Sequence, residues 1–330
     1  ALLESNLIYG DETTFQVLKE PGRRPQAKSY LWAQVNGSGP PVRMFSYSPG
    51  RGAQHAQKLY AGVQPGTALM TDGYELYNGI AHDHQLVHLG CWAHVRRGFI
   101  KAEESVPKTA RSPDLLATRF VVLIGKLFAA EARSAKWAPE RRQRLRARYS
   151  ARVLSIIERM LVEHLPDIVP SSLLGKALQY MSGQWPKLVR YVENGNWPIS
   201  NNLCENAIRP FVVGRKGWLF SDTVAGAQAS ANLYSLVETC KANGVDPYRY
   251  LVWLFHALEN ACCSQPLRGV IKRPHTYNKT VRYDWLAHYL FETVADVQEY
   301  ATKWLWSYNH ERPNTAIGGV PPKQKLLIAP

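Results

Sequence analysis

The order of the predicted strands and helices indicates an α/β fold with one central sheet. Three adjacent strands are followed by a helix, a strand, a helix and a strand, and this order is typical of a sheet covered by helices. The chain has 330 residues, of which 45% are hydrophobic, and a chain of this length can bury a sizeable core. Residues 108–192 show helical periodicity almost throughout and no good strand, which predicts an all-helical insertion.

The elements before that insertion are predicted from alternation, apolar runs and turn residues. We predict strands over 5–18, 29–36, 42–48, 67–71 and 85–90, and helices over 52–61, 74–81 and 92–104. The GSGPP segment between the second and third strands is predicted to be a turn, since Gly and Pro favour turns.

Further helices follow the insertion and complete the predicted core. They cover 203–216, 226–243 and 247–260, and the Asn-Gly pair at 243–244 stops the second of them. An aromatic-rich helix is predicted over 292–308. The predicted division is a core in two parts (1–105 and 198–261), a helical insertion (106–197), a linker (262–274) and a tail (275–330).

Lysine and arginine greatly outnumber the acidic residues. The net charge is +14 and the isoelectric point is about 9.6, which favours a polyanionic partner because each neutralised phosphate releases counterions. The five cysteines form no CxxC pair, which argues against a disulfide framework and favours a reducing cytoplasm. We find no apolar run of transmembrane length and no signal peptide, so no membrane partner is expected. The chain begins at Ala1 within a predicted domain, so we expect an upstream segment.

Three isolated acids are the candidates for chemistry. Asp11 lies within or near the end of the first strand, Asp72 follows an apolar strand, and Glu205 lies in the amide-rich segment NNLCENAIRP at 201–210. Singly, an acid before Gly is often only a helix cap. Together they match the need of two-metal phosphoryl transfer for carboxylates. Glu12 is a rival to Asp11, because strand alternation lets only one of the two face a site.

Ordered sequence blocks carry a family resemblance over roughly residues 5–257. The blocks are DET at 11–13, SYLWA at 29–33, YSP at 47–49, TDGY at 71–74, GCWAHVRR at 90–97, NNLCENAIRP at 201–210, GRKGWLF at 214–220, YSL at 234–236 and NGVDP at 243–247. In this order they resemble the transposases of the insertion sequence 66 family, which are DDE enzymes with a ribonuclease H-like core.

The resemblance implies a fold, a site and partners. The fold would be a ribonuclease H-like mixed sheet with flanking helices, interrupted by the insertion. Asp11, Asp72 and Glu205 would be the catalytic triad and would bind two Mg²⁺ ions, with Mn²⁺ as a substitute. The partner would be double-stranded DNA, both the element ends and the target, bound by a homodimer at the bacterial nucleoid. Water would cleave a phosphodiester at the element end, and the freed 3′-hydroxyl would then attack target DNA.

The tail resembles a different family. The segments NKTVRYDWL at 278–286, ATKWLWSYNHERPN at 301–314 and GGVPPKQKL at 318–326 are similar to the C-terminal end of insertion sequence 3 transposases. His275 or Thr276 stands where that family has a catalytic Glu. We therefore expect the tail to add nothing to the site, in a chain that is a hybrid of two transposase fragments.

Clustered basic residues predict where DNA would lie. The candidates are Arg96, Arg97, Arg141, Arg142, Arg144, Arg209, Arg215 and Lys216, and the candidate accessory residues are His94, Asn201 and Asn202. The run RRQRLRAR at 141–148 contains no acid, which favours phosphate contact, although a solvated helical face is the alternative for any charge run. For Arg96 and Arg97, the alternative is a solvated pair beside a packed Cys91-Trp92.

Histidines and a cysteine crowd residues 82–94. They are His82, His84, His88, Cys91 and His94. Their spacings fit no common structural zinc pattern, so zinc is not expected from the sequence.

Two other functions remain open at this point. A ribonuclease H-like endonuclease would use the same acids without strand transfer. A non-catalytic remnant of a transposase, encoded by a hybrid or truncated gene, would bind DNA through its basic residues and would not cleave it.

Overall fold

The computed structural model of the chain describes residues 2–263 and the single positions 303, 306, 310, 311, 320, 321, 323 and 324. The strands are β1 (Leu7–Lys19), β2 (Lys28–Asn36), β3 (Arg43–Ser48), β4 (Ala68–Thr71), β5 (Val87–Gly90) and β6 (Ser221–Thr223). The helices are α1 (Ala53–Tyr60), α2 (Leu76–Asp83), α3 (Trp92–Glu104), α4 (Leu116–Ser134), α5 (Pro139–Leu145), α6 (Ala151–His164), α7 (Leu173–Leu188), α8 (Asn202–Trp218), α9 (Val224–Ala242) and α10 (Pro247–Cys263).

The strands form one sheet in the order β3-β2-β1-β4-β5, and β6 also pairs with β1. The β1·β4, β4·β5 and β1·β6 pairs are parallel. The connections from β1 to β2 and from β2 to β3 are too short for the crossover that a parallel pair needs, so these neighbours run antiparallel. The predicted α/β class with a mixed sheet is confirmed.

Most predicted elements appear within a few residues of their expected bounds. The strand β6 is the exception, because its sequence Ser-Asp-Thr carries neither alternation nor an apolar run. The helix α10 reaches Cys263 and so extends into the predicted linker. The predicted helix over 292–308 and the rest of the predicted tail lie outside the described residues, apart from the single positions given above.

The chain divides into two compact units, which are described separately. The first consists of Ala1–Asp11, Ala33–Pro41 and Arg51–Ala207, and the second of Glu12–Trp32, Val42–Gly50 and Ile208–Pro330. The predicted domain boundaries divide the chain differently and stay a prediction. In the first unit, the described residues between β5 and α8 form helices and no strand.

The core of the first unit is built by α3, α4, α6 and α7. Their buried apolar side chains form one cluster. In it, the ring of Phe99 stacks on Phe120 with centroids 4.5 Å apart. The indole Nε1 of Trp92, which is fully buried, donates to the carbonyl oxygen of Leu188 at 2.9 Å. This bond joins the start of α3 to the end of α7, so the helical segment is packed directly against the helix that follows β5.

The second unit has a core of aromatic rings. Phe211 of α8 makes edge contacts with Phe15, Trp218 and Tyr234. Helix α9 lies along β3, where the Ser235 hydroxyl accepts a hydrogen bond from the backbone N–H of Phe45 at 2.7 Å. Within the described residues, no helix is long and apolar enough to span a bilayer.

Candidate functional site

Asp11 and Asp72 lie at the same level of the sheet. β1 and β4 pair in parallel with Tyr9 opposite Met70, and this register, continued by two residues, sets Asp11 opposite Asp72. Asp72 directly follows the last residue of β4. Neighbouring strands are about 4.8 Å apart. Two of the three predicted acids, Asp11 and Asp72, therefore lie side by side on adjacent strands at the point where β4 ends.

The loop that carries Asp72 is fixed by α7. The Tyr180 hydroxyl donates to the carbonyl oxygen of Asp72, and the Gln184 side-chain amide donates to the carbonyl of Gly73 at 3.3 Å. The Asp72 Oδ1 accepts from the backbone N–H of Tyr74 at 3.0 Å, which closes a turn around Gly73 with a φ of +94°. A side chain would be strained at that φ. A helix of the predicted insertion therefore sets the position of a predicted catalytic acid.

The end of β4 is also tied to β5. The Thr71 hydroxyl and His88 Nε2 lie 2.8 Å apart, and both residues are buried. Burial lowers the pKa of His88 to about 3, with Lys187 and Arg190 acting in the same direction. His88 is therefore neutral at physiological pH. Its hydrogen bond to Thr71 fixes the residue that directly precedes Asp72.

Glu205 lies on the first turn of α8, which starts beside β1. The side-chain amide nitrogen of Asn201, one of the predicted accessory residues, donates to the carbonyl oxygen of Gly10 at 2.9 Å. The backbone N–H of Asn201 donates to Cys91 Sγ at 3.2 Å. These two bonds tie the start of the helix to the residue before Asp11 and to the start of α3. Asn202 is exposed and its predicted accessory role is untested.

The carboxylate of Glu205 is held by two residues of α3. The Arg97 Nη2 lies 2.7 Å from Oε1 and 2.8 Å from Oε2, and His94 Nδ1 lies 3.5 Å from Oε1. Burial lowers the pKa of His94, Arg97 adds to this effect, and Glu205 and Asp72 oppose it. The field of Asp72 thus reaches the same imidazole that contacts Glu205. Arg97, predicted to contact DNA, is bound to a predicted catalytic acid in this state, while Arg96 is partly exposed.

The residues present provide the oxygen ligands that Mg²⁺ prefers. The buried Asn201 Oδ1 has no hydrogen-bond donor among the described residues, and a bound ion or water would satisfy it. The described residues contain one group of three or more His, Cys, Asp or Glu ligand atoms within 4.8 Å of one another, namely Cys91, His94 and Glu205. Convergence of all three predicted catalytic carboxylates therefore stays a prediction, which requires Glu205 to leave Arg97.

A cavity of about 480 Å³ opens beside Asp72. Its lining includes four basic residues from three segments, namely Arg51 before α1, Arg97 and Lys101 on α3, and Lys176 on α7. The Arg51 guanidinium lies 3.3 Å from the centre of the Tyr74 ring. Sequence reasoning missed Arg51, Lys101 and Lys176, because each is a single charge in an ordinary helix or loop and only the fold groups them.

The basic run of the predicted insertion has a mixed role. Arg146 is buried, forms an ion pair with Glu131 at 2.6 Å and donates to three backbone carbonyls. Arg142 donates to four carbonyls, including that of Gly195 at 2.9 Å. Arg141 lies over the Trp137 ring at 4.1 Å. Arg141 and Arg144 are exposed and keep their predicted role, whereas the guanidinium of Arg142 is already engaged with the fold.

The remaining predicted DNA contacts lie in the second unit. Arg209 and Lys216 are exposed. Arg215 donates to the Thr13 hydroxyl at 3.2 Å, which joins α8 to β1 within that unit. Their binding of DNA stays a prediction.

Three family models match successive parts of the chain. Residues 1–229 match the transposase IS66 family, residues 235–263 match the IS66 C-terminal element, and residues 272–322 match an integrase core domain. The predicted resemblance is confirmed, and a separate family model matches the tail.

Curated relatives are found in Sinorhizobium fredii. The uncharacterized protein y4qI is 30% identical over 268 residues, covering 77% of this chain and 48% of that protein. The uncharacterized protein y4jD is 29% identical over 264 residues, covering 76% of this chain and 49% of that protein. The chain spans about half the length of the curated relatives it matches.

Proposed function

The chain belongs to the IS66 transposase family, and we propose that it cleaves and joins DNA with Asp11, Asp72 and Glu205 as catalytic residues. The observation that carries the proposal is the register of β1 and β4, which sets Asp11 opposite Asp72. The attachment of the start of α8 to Gly10 supports the inclusion of Glu205. The strand order β3-β2-β1-β4-β5 supports a ribonuclease H-like topology for the sheet.

The three carboxylates would hold two divalent cations, Mg²⁺ or its substitute Mn²⁺. When bound, these ions would supply Lewis-acid stabilisation of the charge that develops on the phosphate oxygens. Asp72 is oriented for this role by Tyr180, and Asp11 by its place in the middle of β1. Glu12 is the next residue on the same strand, and alternation directs it to the opposite face.

Release of Glu205 from Arg97 is the step that the fold must provide. The Arg97 side chain is half exposed, so it can turn toward a DNA phosphate without unpacking α3. One guanidinium would then pair with the carboxylate in the free chain and with phosphate in the complex. This exchange reconciles the predicted DNA contact of Arg97 with its observed ion pair.

The basic cavity would hold the DNA strand next to the acids. Arg51, Lys101 and Lys176 surround the Asp72 loop and would neutralise phosphates on either side of the bond to be broken. We propose that the water oxygen attacks the phosphorus, that the P–O3′ bond breaks, and that the 3′ oxygen leaves as a hydroxyl. The oxygen of that hydroxyl would then attack the phosphorus of a target phosphodiester, the P–O3′ bond of the target would break, and the target 3′ oxygen would leave as a hydroxyl. No covalent enzyme intermediate is needed.

The proposed partners are double-stranded element ends and target DNA. Exposed Arg209 and Lys216, together with Arg141 and Arg144, would add contacts to the backbone of the duplex. Because transposition joins two ends to one target, we propose a homodimer on DNA.

The experiment is a cleavage and joining assay with the full chain. Duplexes carrying candidate element ends are incubated with Mg²⁺ or Mn²⁺, and 3′ ends and joined products are measured. Asp72→Asn should abolish both products, and Asp114→Asn, at an exposed position of the same unit, should leave them. Glu12→Gln should also retain activity. Cleavage without joining would indicate a nuclease, and DNA binding with neither product would indicate a non-catalytic DNA-binding protein.

A further inference from the structure

Two side chains that bind transition metals, the Cys91 thiol and the His94 imidazole, lie next to Glu205. Cys91 Sγ, a nitrogen of His94 and an oxygen of Glu205 all lie within 4.8 Å of one another. Mg²⁺ prefers oxygen ligands alone, whereas thiolate, imidazole and carboxylate together suit Zn²⁺. The ligand atoms of a tetrahedral zinc are roughly 3.5 Å apart, as follows from bonds of about 2.0–2.3 Å. Side-chain rotations that move the ligand atoms by about an ångström would therefore complete a site with three protein ligands, and water would take the fourth position.

The sulfur of Cys91 is held in place by backbone N–H groups. Cys91 is the N-terminal cap of α3, and its sulfur accepts from the backbone N–H of Asn201 at 3.2 Å. The N–H groups of Ala93 and His94 also hydrogen-bond it. Burial raises the pKa of the Cys91 thiol, and these N–H donors only partly oppose that effect. Their contribution is positional, because they fix the sulfur on the side of α3 that faces Glu205.

Arg97 is the competitor for Glu205. It is a single positive charge on a half-exposed side chain, and solvent screening makes an ion pair of this kind weak. A divalent cation bonded to sulfur and nitrogen as well can displace it, and the thiol proton passes to solvent on binding.

We propose that Cys91, His94 and Glu205 form a binding site for Zn²⁺ and chemically similar ions, and that its occupation removes Glu205 from the catalytic set. The site itself is independent of the proposed function, while its inhibitory effect rests on it. The two cations would compete for one carboxylate, with Asp11 and Asp72 favouring Mg²⁺ and Cys91 and His94 favouring Zn²⁺.

The binding test uses Co²⁺ as a spectroscopic substitute for Zn²⁺ on the full chain. One equivalent should produce a sulfur-to-cobalt charge-transfer band in the near ultraviolet, and Zn²⁺ should abolish it. Cys91→Ser should lose the band, and Cys240→Ser, at a buried cysteine of the other unit, should keep it. His94→Gln should retain the band but bind Co²⁺ at least about tenfold more weakly. No band in the wild type, or a band that persists in a folded Cys91→Ser chain, would overturn the proposal.

The inhibition test adds Zn²⁺ to the Mg²⁺-dependent cleavage assay. Inhibition should be reversed by a zinc-selective chelator. In Cys91→Ser, half-inhibition relative to that variant's own zinc-free rate should need at least about tenfold more Zn²⁺. Equal sensitivity of both chains would refute the inhibitory role. Absence of cleavage in every chain, with the cobalt band intact, would count against the proposed function and leave the site standing.

Discussion

The Nη2 of Arg97 lies between the two carboxylate oxygens of Glu205, at 2.7 and 2.8 Å. An acid predicted to bind a metal is thus neutralised by an arginine predicted to bind DNA. The pair gives a charge partner to a carboxylate that is only 22% exposed, while the arginine itself is half exposed. It also means that metal binding by Glu205 must compete with Arg97.

Replacement of Arg97 by Ala should tighten binding of Mn²⁺ in the absence of DNA. An exposed ion pair is worth about 0–1 kcal/mol, so the dissociation constant should fall by up to about fivefold. Titration followed by electron paramagnetic resonance of free Mn²⁺ would measure it. Arg96→Ala removes the same charge from the neighbouring position and is the matched control. An equal shift in both variants would mean that general charge, rather than the ion pair, sets the affinity.

Replacement of Tyr180 by Phe should slow DNA cleavage without unfolding the chain. The lost hydrogen bond to the Asp72 carbonyl oxygen is worth about 0.5–1.5 kcal/mol, so we expect a loss of about two- to tenfold. The comparison is with Tyr149→Phe, which removes a hydroxyl from an exposed ring of the same unit. Rates at saturating metal, together with the metal concentration for half-maximal rate, would separate misplacement of Asp72 from weaker binding. Equal rates in both variants would show that α7 does not position Asp72 for catalysis.

Replacement of His88 by Gln should flatten the dependence of stability on pH. Burial holds the pKa of His88 at about 3, whereas the unfolded imidazole titrates near 6.5. The unfolded chain therefore binds the extra proton first, and stability falls as the pH drops below about 6.5. The slope is at most about 1.4 kcal/mol per pH unit.

The measurement is the melting temperature of both chains between pH 7 and pH 5, where few carboxylates titrate. The difference in melting temperature between wild type and His88→Gln should narrow or change sign as the pH falls, because only the wild type loses stability through the histidine. Gln can still form a hydrogen bond to Thr71 at every pH. A difference that is constant over this range would contradict the assignment of His88 as a buried neutral histidine.

Local periodicity predicted most of the elements that carry the site. The apolar run before Asp72 marks the end of a strand, and the amide-rich segment before Glu205 marks the start of a helix. Both positions lie at the same edge of the central sheet. The strand β6 was not predicted, because three polar residues gain their strand conformation only from pairing with β1, far away in sequence. Pairing of this kind is a tertiary effect that no window of sequence contains.

Side-chain partnerships were less predictable than elements. The sequence marks Arg97 as basic but does not show that Glu205 is its partner, since the two are brought together by the hydrogen bonds of Asn201. Glu205 is far from Cys91 and His94 in the sequence, so spacing rules, which compare residues close in sequence, do not group the three. In the run at 141–148, charge alone does not distinguish the buried Arg146 from the exposed Arg144.

Replacement of Arg146 by Met should destabilise the first unit strongly, whereas Arg144→Met should leave its stability unchanged. Arg146 is 1% exposed, and its loss would leave the Glu131 carboxylate and three carbonyls without their donor, at a cost of about 3–5 kcal/mol. Denaturant unfolding of both variants would measure this. Arg144→Met should instead weaken DNA binding and lower the salt dependence by about one counterion. Loss of stability in Arg144→Met, or an unchanged salt slope, would contradict the division of this run into one structural and one DNA-facing arginine.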